Sequence, residues 1–155
     1  MATIREQIHR NAVALISLVI AVGSLAYNTW RNETTEAQRN TRHASFRVLE
    51  SLGELQQVAD YHYYFVENEG SDDGEQWLRG WGQVTLVRDL TMVMPGTAPE
   101  AGLAIYQLWE SRFSQLDDRD SQGRRTPQAM EAKDEIIQGI EDTRTAVIRV
   151  LRSLE

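Results

Sequence analysis

Hydrophobic and polar positions change their spacing along this chain, and each change marks an element. Residues 12–30 are mostly apolar and carry no formal charge. At about 1.5 Å per residue such a helix covers roughly 28 Å, close to the ~30 Å of a bilayer's hydrocarbon core. The stretch therefore predicts a membrane-spanning anchor, with Tyr27, Trp30 and Arg31 at the headgroup boundary. Residues 31–45 turn polar, with too few apolar positions to pack on a core. Lacking proline, they predict a solvated helical stalk that continues the anchor.

Beyond the stalk the apolar positions take up the four-three spacing of buried helix faces. Val48, Leu52, Leu55, Ala59, His62 and Val66 form the first such seam, which Phe46 and Leu49 would widen. Residues 67–74 read as a loop, with Asp72 and Glu75 spaced as a capping box. A second helix is predicted on the stripe Trp77, Trp81, Val84, Val87 and Met94, flanked by Leu78, Leu86, Leu90 and Val93. Within it, Gly80 and Gly82 suggest close packing near the tryptophans. Met94-Pro95-Gly96 should stop this helix, and Thr97, Pro99 and Glu100 should cap the next. The third helix buries Ile105, Trp109, Phe113 and Leu116, with Leu103, Tyr106 and Leu108 beside them. Thr126-Pro127 opens the fourth, on Ile136, Ile140, Thr143, Val147, Val150 and Leu154. The predicted fold is thus all-α: an N-terminal tail (1–11), a single transmembrane helix (12–30), a juxtamembrane stalk (31–45) and an antiparallel four-helix bundle (46–155).

Within the anchor, Ala14, Ser17, Ala21, Ser24 and Asn28 recur at spacings of three and four. They form a seam of small and polar residues on which a neighbouring membrane helix can pack closely. The partners expected from this region are the lipid bilayer itself and, through the seam, a membrane protein or a second copy of the chain. Ser24-Leu25-Ala26 also offers small residues of the kind a signal peptidase reads. An apolar run longer than a usual signal core, and Glu6 ahead of it, favour an uncleaved anchor. A single-pass protein of a cell membrane, of the bacterial inner-membrane kind, is the expectation. Arginines after the anchor outnumber those before it, which leans toward a cytoplasmic bundle, whereas a short tail with two arginines ahead of a lone anchor is the layout of an exported one, so the side stays open.

Composition narrows the chemistry. A formal net charge of -7 argues against nucleic acid as a partner, because phosphate binding needs a concentrated basic face. The chain holds no Cys and 3 His, which leaves little for metal ligation. The loop at residues 117–125 places Asp118, Asp120, Gln122 and Gly123 at the early positions of a calcium-binding helix-loop-helix. Ala129 stands where the bidentate Glu belongs, and Arg124 and Arg125 lie beside the site, so an ordinary acidic turn is expected. Neither a phosphate-binding glycine loop nor a nucleophile elbow is present, and no cofactor is expected. One aromatic group (Tyr61, His62, Tyr64, Trp77 and Trp81) could line an apolar pocket, although aromatic residues at helical spacing usually form core.

Two functions fit these features. The leading one is a non-enzymatic, membrane-anchored accessory or scaffold subunit that docks onto a membrane complex. The alternative is a tethered sensory bundle that binds a small apolar molecule among the aromatics. If the anchor seam mediates assembly, Ser17→Leu with Ala21→Leu lowers the oligomeric state or the yield of co-purifying protein in mild detergent. Native gels of parent and variant check this, and identical profiles would count against the seam.

Overall fold

The computed structural model describes residues 11–66 and 74–154. The N-terminal tail, most of the loop after the first seam, and Asp72 of the expected capping box lie outside these residues. Four α-helices account for most of what is described: α1 (Ala12–Phe65), α2 (Gly74–Met92), α3 (Ala98–Arg112) and α4 (Pro127–Ser153), with a 3₁₀ turn at Phe113–Gln115. Among the described residues there is no strand, only an isolated bridge between Arg119 and Arg125. The chain divides into two compact units, Met1–Arg39 and Asn40–Glu155. This division falls inside the stretch expected to be the stalk.

Helix α1 is continuous over 54 residues, as expected where no proline interrupts it. It is long and apolar enough, over its first part, to cross a membrane. Its character changes at Ser45. Residues 13–40 are exposed throughout, whereas Val48, Leu52, Leu55, Ala59, His62 and Val66 are all buried, as their spacing predicts. Phe46 is the exception: it is 59% exposed. Two residues before Val48, it sits about 200° around the helix from the seam and cannot widen it.

The second unit is a helical bundle with one apolar core. On α4 the predicted face is observed: Ile136, Ile140, Thr143, Val147 and Val150 are buried, and the Thr126 hydroxyl accepts a hydrogen bond from the Ala129 N–H at 3.2 Å. On α3 and the turn after it, Ile105, Trp109, Phe113 and Leu116 are buried, while Leu103 is exposed. The expected cap at Thr97 is absent. Its side chain makes no capping bond and instead meets an Arg149 N–H at 3.5 Å.

Helix α2 departs most from the expected stripe. Its buried positions are Gly80, Val84, Val87 and Thr91, whereas Trp77 and Leu78 are exposed and Trp81 is only half-buried. Val93 lies beyond the helix end and is exposed too, while Met94 folds back into the core near the Ser45 hydroxyl. The cause is close approach. A Cβ on Gly80 would lie 2.5 Å from Cζ2 of Trp109 and 3.0 Å from Cγ1 of Val58, so only glycine lets the indole rest on α2. Gly82, expected to play the same part, has nothing within 4 Å. Two further glycines do take that role: Gly102 against the Thr91 side chain, and Gly139 against Leu108 and Ile105.

These contacts give opposite signs to two glycine substitutions in helices. Gly102→Ala forces a methyl group onto Thr91, whose hydroxyl is already held by the carbonyls of Val87 and Arg88, and should cost about 1–3 kcal/mol. Gly82→Ala meets open space and should stabilise by up to about 1 kcal/mol through helix propensity. Thermal melts of the two variants beside the parent check both signs.

Candidate functional site

Three regions of the surface carry chemistry beyond packing. The first is the apolar part of α1. Its seam residues Ala14, Ser17, Ala21, Ser24 and Asn28 are all exposed, as are Tyr27, Trp30 and Arg31. The rings of Tyr27 and Trp30 lie 6.2 Å apart. Immediately beyond them, the Thr34 and Thr35 hydroxyls donate to the carbonyls of Trp30 and Arg31, both at 2.9 Å. Such bonds let polar side chains serve the backbone where the helix leaves its apolar stretch.

The second region is the aromatic group, which the structure separates instead of gathering into one pocket. His62 is buried edge-on to Phe113, with ring centres 4.6 Å apart, and Phe113 stacks on Trp109 at 4.3 Å. Tyr61 stacks on Phe65 at 5.9 Å at the surface. Tyr64 meets Tyr63 edge-on, and both rings lie under the Lys133 ammonium at 5.2–5.3 Å. Hydrogen bonding to Tyr64 raises the Lys133 pKa above its ordinary value, against the opposing effect of burial. Trp77 and Trp81 form a separate row with Tyr106, over which Arg88 sits at 4.5 Å. The cavity beside Tyr61 is small, 170 Å³, and is lined largely by polar side chains such as Glu54, Gln57 and Arg79.

The third region is the loop before α4, which closes the end of α1. A helix leaves its last carbonyls without partners and builds up negative potential there. Arg119 donates to the Val66 carbonyl at 2.9 Å, and Arg125 donates to the carbonyls of both His62 and Val66 at 2.9 Å. Burial, and then repulsion from Arg119, pushes the Arg125 pKa below its ordinary value. Asp120 holds the loop in shape. Its carboxylate accepts from the N–H groups of Gln122 and Arg124 at 2.9 Å and pairs with the Arg124 guanidinium. The backbone and side chain of Arg124 lower the Asp120 pKa, so the turn holds at pH above the ordinary carboxylate range and opens as pH falls below that range, through the lowered pKa.

This use of Arg119 and Arg125 was not read from the sequence. Two arginines flanking a tight Asp-Gly turn could have signalled a hairpin whose ends reach a helix terminus. Compared with models of protein families, with curated proteins and with solved structures, the chain matches none.

Arg125→Ala leaves the His62 carbonyl without its cation, with Arg119 still on Val66, and should destabilise the domain by about 1.5–3 kcal/mol, the range for a hydrogen bond to a charged group. Arg124→Ala, whose guanidinium is exposed, should cost under about 1 kcal/mol. Urea unfolding followed by tryptophan fluorescence separates the two.

Proposed function

We propose that the chain is a non-enzymatic accessory or scaffold subunit, held to a membrane by residues 12–30 and presenting an antiparallel four-helix bundle for docking. The single observation that carries this reading is the contrast within α1. None of its apolar window is buried, whereas its later turns enter a core whose large side chains are shielded from water. Exposed apolar surface on this scale is costly in water and marks a membrane or protein contact.

Further features support the proposal. Arg31, Arg39 and Arg42 follow the apolar stretch and suit anionic headgroups. The separation of the aromatics favours docking over a ligand-sensing role: among the described residues Tyr61 stacks on Phe65, Tyr64 meets Tyr63, and Trp77 lies against Trp81.

Purification of the full chain in mild detergent, followed by native mass spectrometry, tests the proposal. The expected result is pelleting with membranes in the absence of detergent, and a stoichiometric protein partner once solubilised. A chain that stays in the supernatant, or that carries a bound small molecule and no protein partner, would overturn it.

A further inference from the structure

A groove runs between α3 and α4. Its floor passes Leu108, Gly139, Ala104, Ala101 and Ala146, and it ends beside Ser153. The part beside Leu108 and Gly139 has a volume of 330 Å³, and the part beside Thr97 and Thr145 one of 460 Å³. Close approach of the two helices makes it shallow: Gly139 lets Ile105 and Leu108 lie against α4, and the Thr143 hydroxyl reaches the Ala101 carbonyl at 3.2 Å. The same contacts fix the order of residues along the groove, with Arg112 paired to Glu135 at one end and Thr97 beside Arg149 toward the other.

Charge is distributed along this groove in a self-complementary way. On α4, Gln138, Asp142, Thr145, Arg149 and Ser153 follow one another at spacings of three and four, so they share a face. All five are exposed. Asp142 lies three residues before Thr145, and Arg149 lies four after it. A twofold axis through Thr145 therefore places the Asp142 of one copy against the Arg149 of the other, and does so twice. The same rotation sets Gln138 opposite Ser153, an amide against a hydroxyl. At the axis itself the groove offers Ala101 and Ala146, which let two helices approach closely. Glu100 borders the groove on α3, to one side of the axis.

From this geometry we propose that the α3–α4 face binds a second copy of the same chain, in an isologous dimer centred on Thr145. A self-complementary patch is what a twofold interface requires. The occupant is a second copy because the reversal of charge sign within one groove matches its own rotated image. A wholly cationic or wholly acidic helix would meet repulsion at one end. The existing partners of the two charges, Gln138 for Asp142 and Thr97 for Arg149, are exposed and weak and can be exchanged on pairing. The groove is shallow beside the ~800 Å² per partner of a typical stable complex, so the dimer is expected to be weak in free solution. This interface is distinct from the α1 seam and does not depend on membrane anchoring.

Because the chain has no Cys, a single introduced cysteine reports one position cleanly. Thr145→Cys in the full-length chain, in mild detergent at high protein concentration, should form a disulfide-linked dimer under gentle oxidation. Gln128→Cys, exposed on the same helix but about 25 Å away along it, should not. In the Thr145→Cys background, Asp142→Arg or Arg149→Asp should each lower the cross-linked fraction several-fold, and the two together should restore it. Restoration in the double variant also excludes misfolding as the cause of the single losses. Equal cross-linking at positions 145 and 128, or charge reversals without effect, would overturn the proposal. Loss of the cross-link on Ser17→Leu with Ala21→Leu, but not on charge reversal, would assign association to α1 and overturn it as well.

Discussion

The bundle depends on how closely α2 can lie on the indole of Trp109. That side chain is fully buried, and it stacks on Phe113, which in turn receives the edge of His62 from α1. Its other edge rests where Gly80 has no side chain and where Val58 closes the gap from α1. One tryptophan thus touches or organises three helices. Interiors pack near the density of organic crystals, so no methyl group can be added at such a point without displacing something. The same constraint recurs at Gly102 and Gly139, which set the spacing of α2 from α3 and of α3 from α4. Close helix approach also explains the shallow groove on the α3–α4 face: the surface is formed by small side chains because the helices behind it are drawn together.

A second constraint acts at the end of α1. The helix stops inside the domain, where its final carbonyls need donors. The loop after the 3₁₀ turn supplies them from Arg119 and Arg125. Burial, and after it the like charge of Arg119, lowers the Arg125 pKa, and the helix terminus offsets this with oriented carbonyl dipoles. Asp120 keeps the turn closed by engaging Arg124, which leaves Arg119 and Arg125 free to face α1. Acidic residues that resemble the start of a cation-binding loop thus serve to shape a basic cap.

Most of the fold was legible in the sequence wherever the core face was written in large apolar residues. The seams of α1 and α4, and the row Ile105, Trp109, Phe113 and Leu116, follow directly from four-three spacing. Helix α2 was misread because its core positions include Gly80 and Thr91, which hydrophobicity does not mark, while its tryptophans lie toward the surface. Thr97 failed as a cap for a related reason: a residue type states what a side chain is able to bond, and the turn geometry decides what it meets. The aromatic group looked like a pocket because its members are close in sequence. On a helix, His62 points about 100° from Tyr61 and about 160° from Tyr64, so it turns into the core against Phe113 while the two tyrosines stay at the surface with Phe65 and Tyr63. The cap formed by Arg119 and Arg125 joins residues more than fifty positions from their acceptors, a relation that no local pattern carries.

What the domain offers other molecules follows from where its chemistry is not already used. The core closes over its large side chains, and the loop arginines are occupied by α1. Among the described residues, two exposed surfaces stand out by their patterning. One is the apolar stretch of α1, whose sequence of aliphatic residues followed by Tyr27, Trp30 and Arg31 has the order of a bilayer boundary. The other is the α3–α4 groove, whose Asp142 and Arg149 are matched to each other only through a twofold rotation. The first is long and apolar enough to cross a membrane, and the second is the face on which we propose a second copy docks. In the function we propose, such a protein acts by location and assembly, with its loop arginines engaged in closing the end of α1.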